Sequence, residues 1–424
     1  MNTHIAHTGT LVIGGGQAGL AASRCLSDRG CDHLVLERGR IAERWHSERW
    51  DSLRLLTPNW MTRVPGHAYG GDDPDGFMSA REVAGFFAGY AASFRAPVLE
   101  HVNVQRVAHD GQRFSVTTDA GRFTSDQVVI ATGWCDRPAV PAAAASLAPD
   151  VRQIVPRDYR RPDDLPLGGV LVVGASATGV QLAAELHQSG RPVTLAVGSH
   201  TRMPRRYRGM DTFWWLDQIG AFDRTIDDVD DVDAARREPS LQLAGRPDHT
   251  SLDLAALEHA GVRLVGRVEA IEGRYVSVAT DLAAVIDAAD RRLRRTLRRI
   301  DDTIAHLGLG AEVLDAEPLP KVVVRDQPAS LDLAADGIAA VVWATGHRRS
   351  YDWLDLPILR DGEIRQRRGV TALSGAYVLG QRFQHFRNSN FIDGVGRDAA
   401  FVADHICARA DSLGARSSTR TRPR

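Results

Sequence analysis

Three groups of residues in this 424-residue chain have types and spacing suited to chemistry. The first is Gly14-Gly15-Gly16-Gln17-Ala18-Gly19, which fits G-x-G-x-x-G, with Glu37 following 18 residues after Gly19 (37 − 19). Glycine suits such a loop because a side chain would hold the backbone away from a pyrophosphate. The free N–H groups and positive dipole end of a following helix then attract the phosphates. A carboxylate ending the next strand can accept hydrogen bonds from a ribose diol. The second group is Gly174-Ala175-Ser176-Ala177-Thr178-Gly179, in which Ser176 replaces the middle glycine. Where an acid would select an unphosphorylated ribose, the chain reads Val197-Gly198-Ser199-His200-Thr201-Arg202, then Arg205 and Arg206. Arginine there suits a 2′-phosphate, and a solvated arginine loop is the competing reading. The third group is Thr57-Pro58-Asn59-Trp60. The Asn59 amide can donate a hydrogen bond without titrating, or it can simply cap the turn after Pro58.

The elements that must position these groups follow from four short apolar runs that each stop at glycine: TLVIGGG (10–16), VVIATG (128–133), VLVVGAS (170–176) and VVWATG (341–346). Such runs read as strands buried on both faces of a parallel sheet. Helical patterns follow the first and third and close at Gly30 and Gly190, where glycine accepts the left-handed conformation. New strands, HLVLE (33–37) and PVTLAV (192–197), complete two βαβ openings whose loops start 160 residues apart (174 − 14). Two dinucleotide loops imply two dinucleotides: FAD or NAD on the acid-ended unit, NADP on the arginine-ended one. Hydride transfer between a nicotinamide and a flavin is the chemistry such a pair permits.

The Pro/Ala-rich stretch 139–149 reads as a connection between domains. Between about 221 and 320 strong strands are lacking, but Leu293, Leu297, Ile300, Ile304 and Leu307 form one stripe of a long helix. The segment from about 411 is polar, basic and expected to fray. Lys+Arg 52 against Asp+Glu 53 leaves a net charge of −1, so no global basic field exists to hold nucleic acid. Four cysteines without C-x-x-C are too few and too scattered for a disulfide framework, and the 15 histidines show no paired ligand spacing, so no metal site is expected. The N-terminus lacks an apolar signal core and no run of 18 apolar residues occurs, which predicts a cytoplasmic protein without a membrane span.

The two glycine loops, Ala131-Thr132-Gly133, Ala344-Thr345-Gly346, Arg44-Trp45, the stretch Trp50 to Trp60 and the segment Ser389 to Ala399 together resemble the flavin-containing monooxygenases and their bacterial CzcO-like relatives. The resemblance covers most of the chain. It implies that Gly14, Gly16, Gln17, Ala18, Gly19, Glu37 and Arg38 hold FAD, with Arg44, Trp45 and the stretch Thr57 to Trp60 lining the flavin, and that both ATG segments belong to the cofactor-binding residues. It likewise implies that Gly174, Ser176, Ala177, Thr178, Gly179, Ser199, Arg202 and Arg205 hold NADPH. Asp393, Gly394 and Val395 would bring a helix start towards the flavin ring, where its dipole could stabilise negative charge. An asparagine near Asn59, with Thr57 as second choice, would hydrogen-bond the oxygen-reacting site.

The implied fold is α/β, with two doubly wound dinucleotide-binding domains. An NADP domain (166–324, with a helical extension over about 221–320) would be inserted into a split FAD domain (1–165 and 325–424). The implied activity is an FAD- and NADPH-dependent monooxygenase that uses a flavin C4a-hydroperoxide and O2 to oxygenate a small organic substrate at N, at S or by Baeyer–Villiger insertion. The stretch Val151 to Tyr159 lacks the His and Gly of the monooxygenase fingerprint, and the Baeyer–Villiger pattern is missing around Trp45. The type of oxygenation therefore stays open. So do an NADPH-dependent reductase or oxidase, a non-catalytic redox regulator, and a homo-oligomeric state.

Overall fold

In the computed structural model, which describes residues 5–325 and 327–420, the first apolar run forms the strand Ile5–Ile13. Its side chains alternate between faces. Leu11 and Ile13 enter a core with Val107, Phe114, Val128 and Ile130. Val12 points the other way, into a core with Ala21, Leu26, Val129 and Ala399. Burial on both faces explains why the run shows no polar alternation. The strand lies parallel to His33–Leu36 on one side and to Gly121–Ile130 on the other. The far edge of Gly121–Ile130 is shared, with antiparallel Phe114–Thr118 along its first half and parallel Ala376–Val378 along its second.

A second sheet has the order Arg152–Ile154, Ile338–Trp343, Gly169–Val173, Val193–Val197, Arg263–Gly266, all parallel. In each sheet a glycine loop leads from a central strand into a helix, Gln17–Asp28 or Ala177–Gln188. Both helices stop just before the expected glycines, Gly30 at φ 66° and Gly190 at φ 86°.

The sheets divide the chain differently from the expected 165 and 325 boundaries. Arg152–Ile154 and Ile338–Trp343 both pair in the second sheet, so the chain changes sheets within the 139–149 connection and again just after Trp343. The first of these strands is short and begins with two polar residues. The second, VVWATG, is a buried run whichever sheet receives it. The 221–320 region is also less helical than expected, because Arg263–Gly266 is the edge strand of the second sheet and antiparallel Val268–Glu272, Tyr275–Val278 and Ser330–Asp332 follow it. A four-residue strand opening on arginine carries almost no periodic signal. The second unit nevertheless sits inside the first along the chain.

The long helix is Leu282–Leu307, and Leu293, Leu297, Ile300 and Ile304 of its stripe are buried against Met203, Phe213, Trp215 and Phe222. Leu307, in the last turn, is 52% exposed and falls off the stripe. The C-terminal helix runs Val395–Arg420, past the point where fraying was expected. It packs on Gln17–Asp28 through Val395, Ala399, Val402 and Ile406. A disulfide between Cys31 and Cys407, with Cα atoms 6.2 Å apart, fastens it there. Among the described residues no helix is long and apolar enough to cross a membrane.

Candidate functional site

The two glycine loops are built alike. Gly14 has φ 111°, and a Cβ there would lie 2.7 Å from the Ala131 carbonyl oxygen; Gly174 has φ 107°, and its Cβ would lie 2.4 Å from that of Ala344. A Cβ on Gly19 would fall 1.8 Å from the Gly14 oxygen, and one on Gly179 would fall 1.7 Å from the Gly174 oxygen. These four glycines are thus demanded by the protein's own packing. Each ATG segment backs the loop of its own sheet, Ala131 behind Gly14 and Ala344 behind Gly174.

The middle position differs. Gly16 (φ −85°, ψ −170°) and Ser176 (φ −81°, ψ −173°) share one extended conformation that any residue adopts, and neither helix start has a side-chain cap. A Cβ on Gly16 would meet nothing within 4 Å. That space and the uncapped N–H groups below it form a cradle for a phosphate group. The same backbone shape explains why serine is tolerated in the second loop.

Glu37 ends its strand buried, with one carboxylate oxygen accepting from Gly15 N (2.6 Å) and the other from Gly39 N (3.0 Å). It braces the loop from behind, and each oxygen keeps a lone pair for a ribose. Arg38, half exposed, pairs with Glu48. Ala18 touches the C-terminal part of the chain, where Gly380 (φ 78°) would place a Cβ 2.9 Å from the Ala18 Cβ. The Gln17 amide donates to Asn390 O (2.7 Å). The C-terminal helix start therefore reaches the first loop. Gly394 turns tightly there, since its Cβ would lie 2.0 Å from Asn388 O. Val395 is fully buried, and Asp393 pairs with Arg63 at 2.6 Å.

Both loops open on one cleft of about 2040 Å³, lined by Gln17 from the first and by Gly174 to Thr178 from the second, with Ser199, Thr57, Trp45 and Thr345. Gly133 (φ 76°) and Gly346 (φ 88°) turn the chain out of each sheet. The segments beyond them cross as a two-stranded link: Ala139 N donates to Gly346 O (2.9 Å), and His347 pairs with Pro138. The Thr345 hydroxyl donates to Ala139 O (2.8 Å). Trp134, Cys135 and His347 sit at this crossing and line the cleft, with the Trp134 and His347 rings edge to face. Burial, together with the nearby Arg49 and Arg44, pulls His347 down to about 4, so the imidazole is neutral at pH 7. Burial pushes the Cys135 thiol up, opposed by Arg49, Arg44 and Arg382. The sequence did not single these residues out, although Trp134 and His347 directly follow the two ATG segments and Cys135 comes one residue later, which was the available signal.

Five expected site residues are employed elsewhere. The Arg202 guanidinium is 4% exposed and is taken up by Asp253 (2.7 Å), Asp290 (2.9 Å) and Pro320 O. Arg205, 0% exposed, is held by Asp211 (2.5 Å) and Leu56 O (2.6 Å) between the Phe77 and Phe213 rings. Both arginines are thus engaged by the protein itself, because buried guanidiniums demand counter-charge from their own chain, although Arg202 still borders the cleft. Asn59 is buried with its Nδ2 donating to Asp73 O and its Oδ1 accepting from Met78 N, both 2.9 Å, so it staples the 73–78 loop and does not line the cleft. Trp60 lies beside it, under the Arg63 guanidinium and also off the cleft. Arg44 pairs with Asp136 (3.0 Å) at the crossing, one step behind the wall.

One exposed cation does stand beside Ser199. Arg267 follows the edge strand, its side chain runs along Gly198 (3.8 Å to a Cβ built there), and its one ion pair among the described residues, to Glu269, is loose at 3.8 Å. Among the described residues no group of three or more potential ligands could hold a metal ion.

The family model described as pyridine nucleotide-disulphide oxidoreductase matches residues 11–209. An uncharacterized oxidoreductase, CzcO-like, from Geobacillus kaustophilus is 29% identical over 93% of this chain and 97% of its own length. Among solved structures, a flavin-containing monooxygenase from Stenotrophomonas maltophilia superposes with a TM-score of 0.65 at 19% identity, covering 96% of this chain and 100% of its own. An oxidized steroid monooxygenase bound to NADP superposes at 0.54 and 15% identity, over 97% of this chain and 86% of its own. In sequence over nearly its whole length the chain is similar to the CzcO-like oxidoreductases, and its fold is that of the flavin-containing monooxygenase structures.

Proposed function

We propose that this chain is an FAD- and NADPH-dependent monooxygenase acting on a small organic substrate. The observation that carries the reading is that two dinucleotide loops of matching geometry open on a single cleft. Bound there, FAD and NADPH would supply hydride transfer and the activation of O2. The protein's part is to bind, orient and enclose. The cradle at Gly16 and the uncapped helix start beneath it hold one pyrophosphate, and those at Ser176 hold the other. Glu37 takes the ribose of the first nucleotide, and Arg267 takes the 2′-phosphate of the second. The C-terminal helix, anchored to the first loop through Gln17 and Gly380, presents its N-terminus towards the ring-binding end. Thr57, Trp45 and Trp134 wall that end, and residues of the segment 220–241 line the same cleft, where enclosure would limit water.

The test is to supply NADPH and isotopically labelled O2 to the FAD-loaded protein with a panel of amines, thioethers and ketones. Label in an organic product supports the reading. Quantitative release of H2O2 with every compound, at full flavin occupancy, would leave a reductase or oxidase instead.

A further inference from the structure

The cleft has a second charged region that belongs to neither glycine loop. Segment 220–241 of the second unit crosses the C-terminal part of the first. Ile226 N donates to His385 O (2.7 Å), Arg387 N donates to Arg224 O (3.0 Å), and Thr225 pairs with Phe386. Under this crossing Arg236, Arg349 and Arg382 line the cleft together with Trp134, Gln381 and Phe383. Arg349 is satisfied by Glu363 (2.5 Å) and by Gln381.

Among the described residues neither of the other two arginines forms an ion pair with a carboxylate. Arg382 donates to the Glu238 carbonyl and lies 5.0 Å from the Trp134 ring, while the Glu238 carboxylate itself is taken by Arg387. The half-buried Arg236 guanidinium has neither a hydrogen bond nor an ion pair with any described residue. Both guanidiniums are repelled by Arg349, and burial pulls both below their ordinary value. Desolvated cations without counter-charge are costly. Arg202 and Arg205 in the same chain show the usual remedy, since each has an acid of its own. An acid on a ligand in the cleft would complete the counter-charge that Asp233, Glu363 and Glu238 supply only from a distance. The dinucleotide phosphates already have their helix starts. Asp233, close to Arg236, offsets part of the excess charge, which favours one negative charge over two. The Trp134 face beside Arg382 offers a flat apolar surface next to the anion site.

We propose that the substrate of this cleft carries a carboxylate held between Arg236 and Arg382, with its apolar body on Trp134. The proposal rests on reading the cleft as an oxygenase site, and its test needs no turnover. FAD-loaded protein is titrated calorimetrically with 3-phenylpropanoate, with its uncharged amide and with phenyl phosphate, in the presence and absence of NADP+. The carboxylate should bind more tightly than the amide by roughly ten-fold or more, and Arg236→Gln and Arg382→Gln should each remove most of that preference. Equal affinity for acid and amide, including no binding of either, overturns the proposal. So does tighter binding of phenyl phosphate. A loss of NADP+ affinity in the variants that matches their loss of carboxylate affinity also overturns it, since the arginines would then hold a cofactor phosphate. Because the acid-to-amide ratio is read at equilibrium, failed oxygen transfer would sink the monooxygenase reading and leave this result standing.

Discussion

The sharpest division among single residues is between arginines that hold the protein and arginines free to hold a ligand. Arg202 and Arg267 flank the same strand ends but differ in exposure and partners. Arg267→Ala should weaken NADPH by about 1–3 kcal/mol in binding titrations and leave NADH unchanged, because NADH has no 2′-phosphate. Arg202→Ala should instead cost about 3–5 kcal/mol of folding stability by stranding Asp253 and Asp290, with equal effects on both nucleotides. From the sequence the two arginines look alike, since burial and the distant acids at 253 and 290 are products of the fold. Asn59 is a similar case, its amide being absorbed by a loop fourteen to nineteen residues further on. His347 supplies a pH-dependent signal. Its folded value of about 4 lies below its ordinary 6.5, so the unfolded chain binds more protons between these limits. The stability it confers is complete above pH 6.5 and is lost as pH falls towards 4. Thermal melts from pH 7 to pH 4.5 should therefore decline more steeply for the native protein than for His347→Asn. Parallel declines would place the titrating group elsewhere.

At the scale of elements, the glycine loops separate what packing needs from what a ligand needs. Gly16→Val keeps an allowed backbone and its Cβ meets no neighbour, so the variant should melt near the native temperature while its bound flavin falls by about ten-fold or more. Gly19→Ala drives a methyl into the Gly14 carbonyl and should lower the melting temperature even without cofactor. If Gly16→Val instead retains its flavin, the cradle is not the phosphate site. These loops were legible because the strand, the turn and the helix stop are all local signals. Less legible were Arg152–Ile154 and Arg263–Gly266, whose few residues become strands only through neighbours far along the chain. The stripe of Leu282–Leu307 was readable up to its last turn, where Leu307 leaves the core.

Across the whole molecule, function depends on how the two sheets are joined. The chain passes between them twice, from Gly133 through the 139–149 connection and again beyond Trp343 through Gly346, and the starts of the two passages bond to each other. This link fixes one loop against the other and puts Trp134, Cys135 and His347 at the junction of the cleft. The two-unit plan and the return of residues 380–395 to the first loop were both foreseeable from motif order. The boundary positions were not, because a buried apolar run does not record which sheet it joins. The arginine-rich wall was also invisible, being assembled from residues 236, 349 and 382. The central claim is that both nucleotides occupy one cleft with their reacting ends together. It is tested most directly by mixing FAD-loaded protein with one equivalent of NADPH in the absence of oxygen and following the flavin absorbance. The arrangement predicts complete bleaching in a single fast phase that slows when Arg267 is replaced. A flavin that stays oxidised, in a protein shown to bind NADPH, would contradict it.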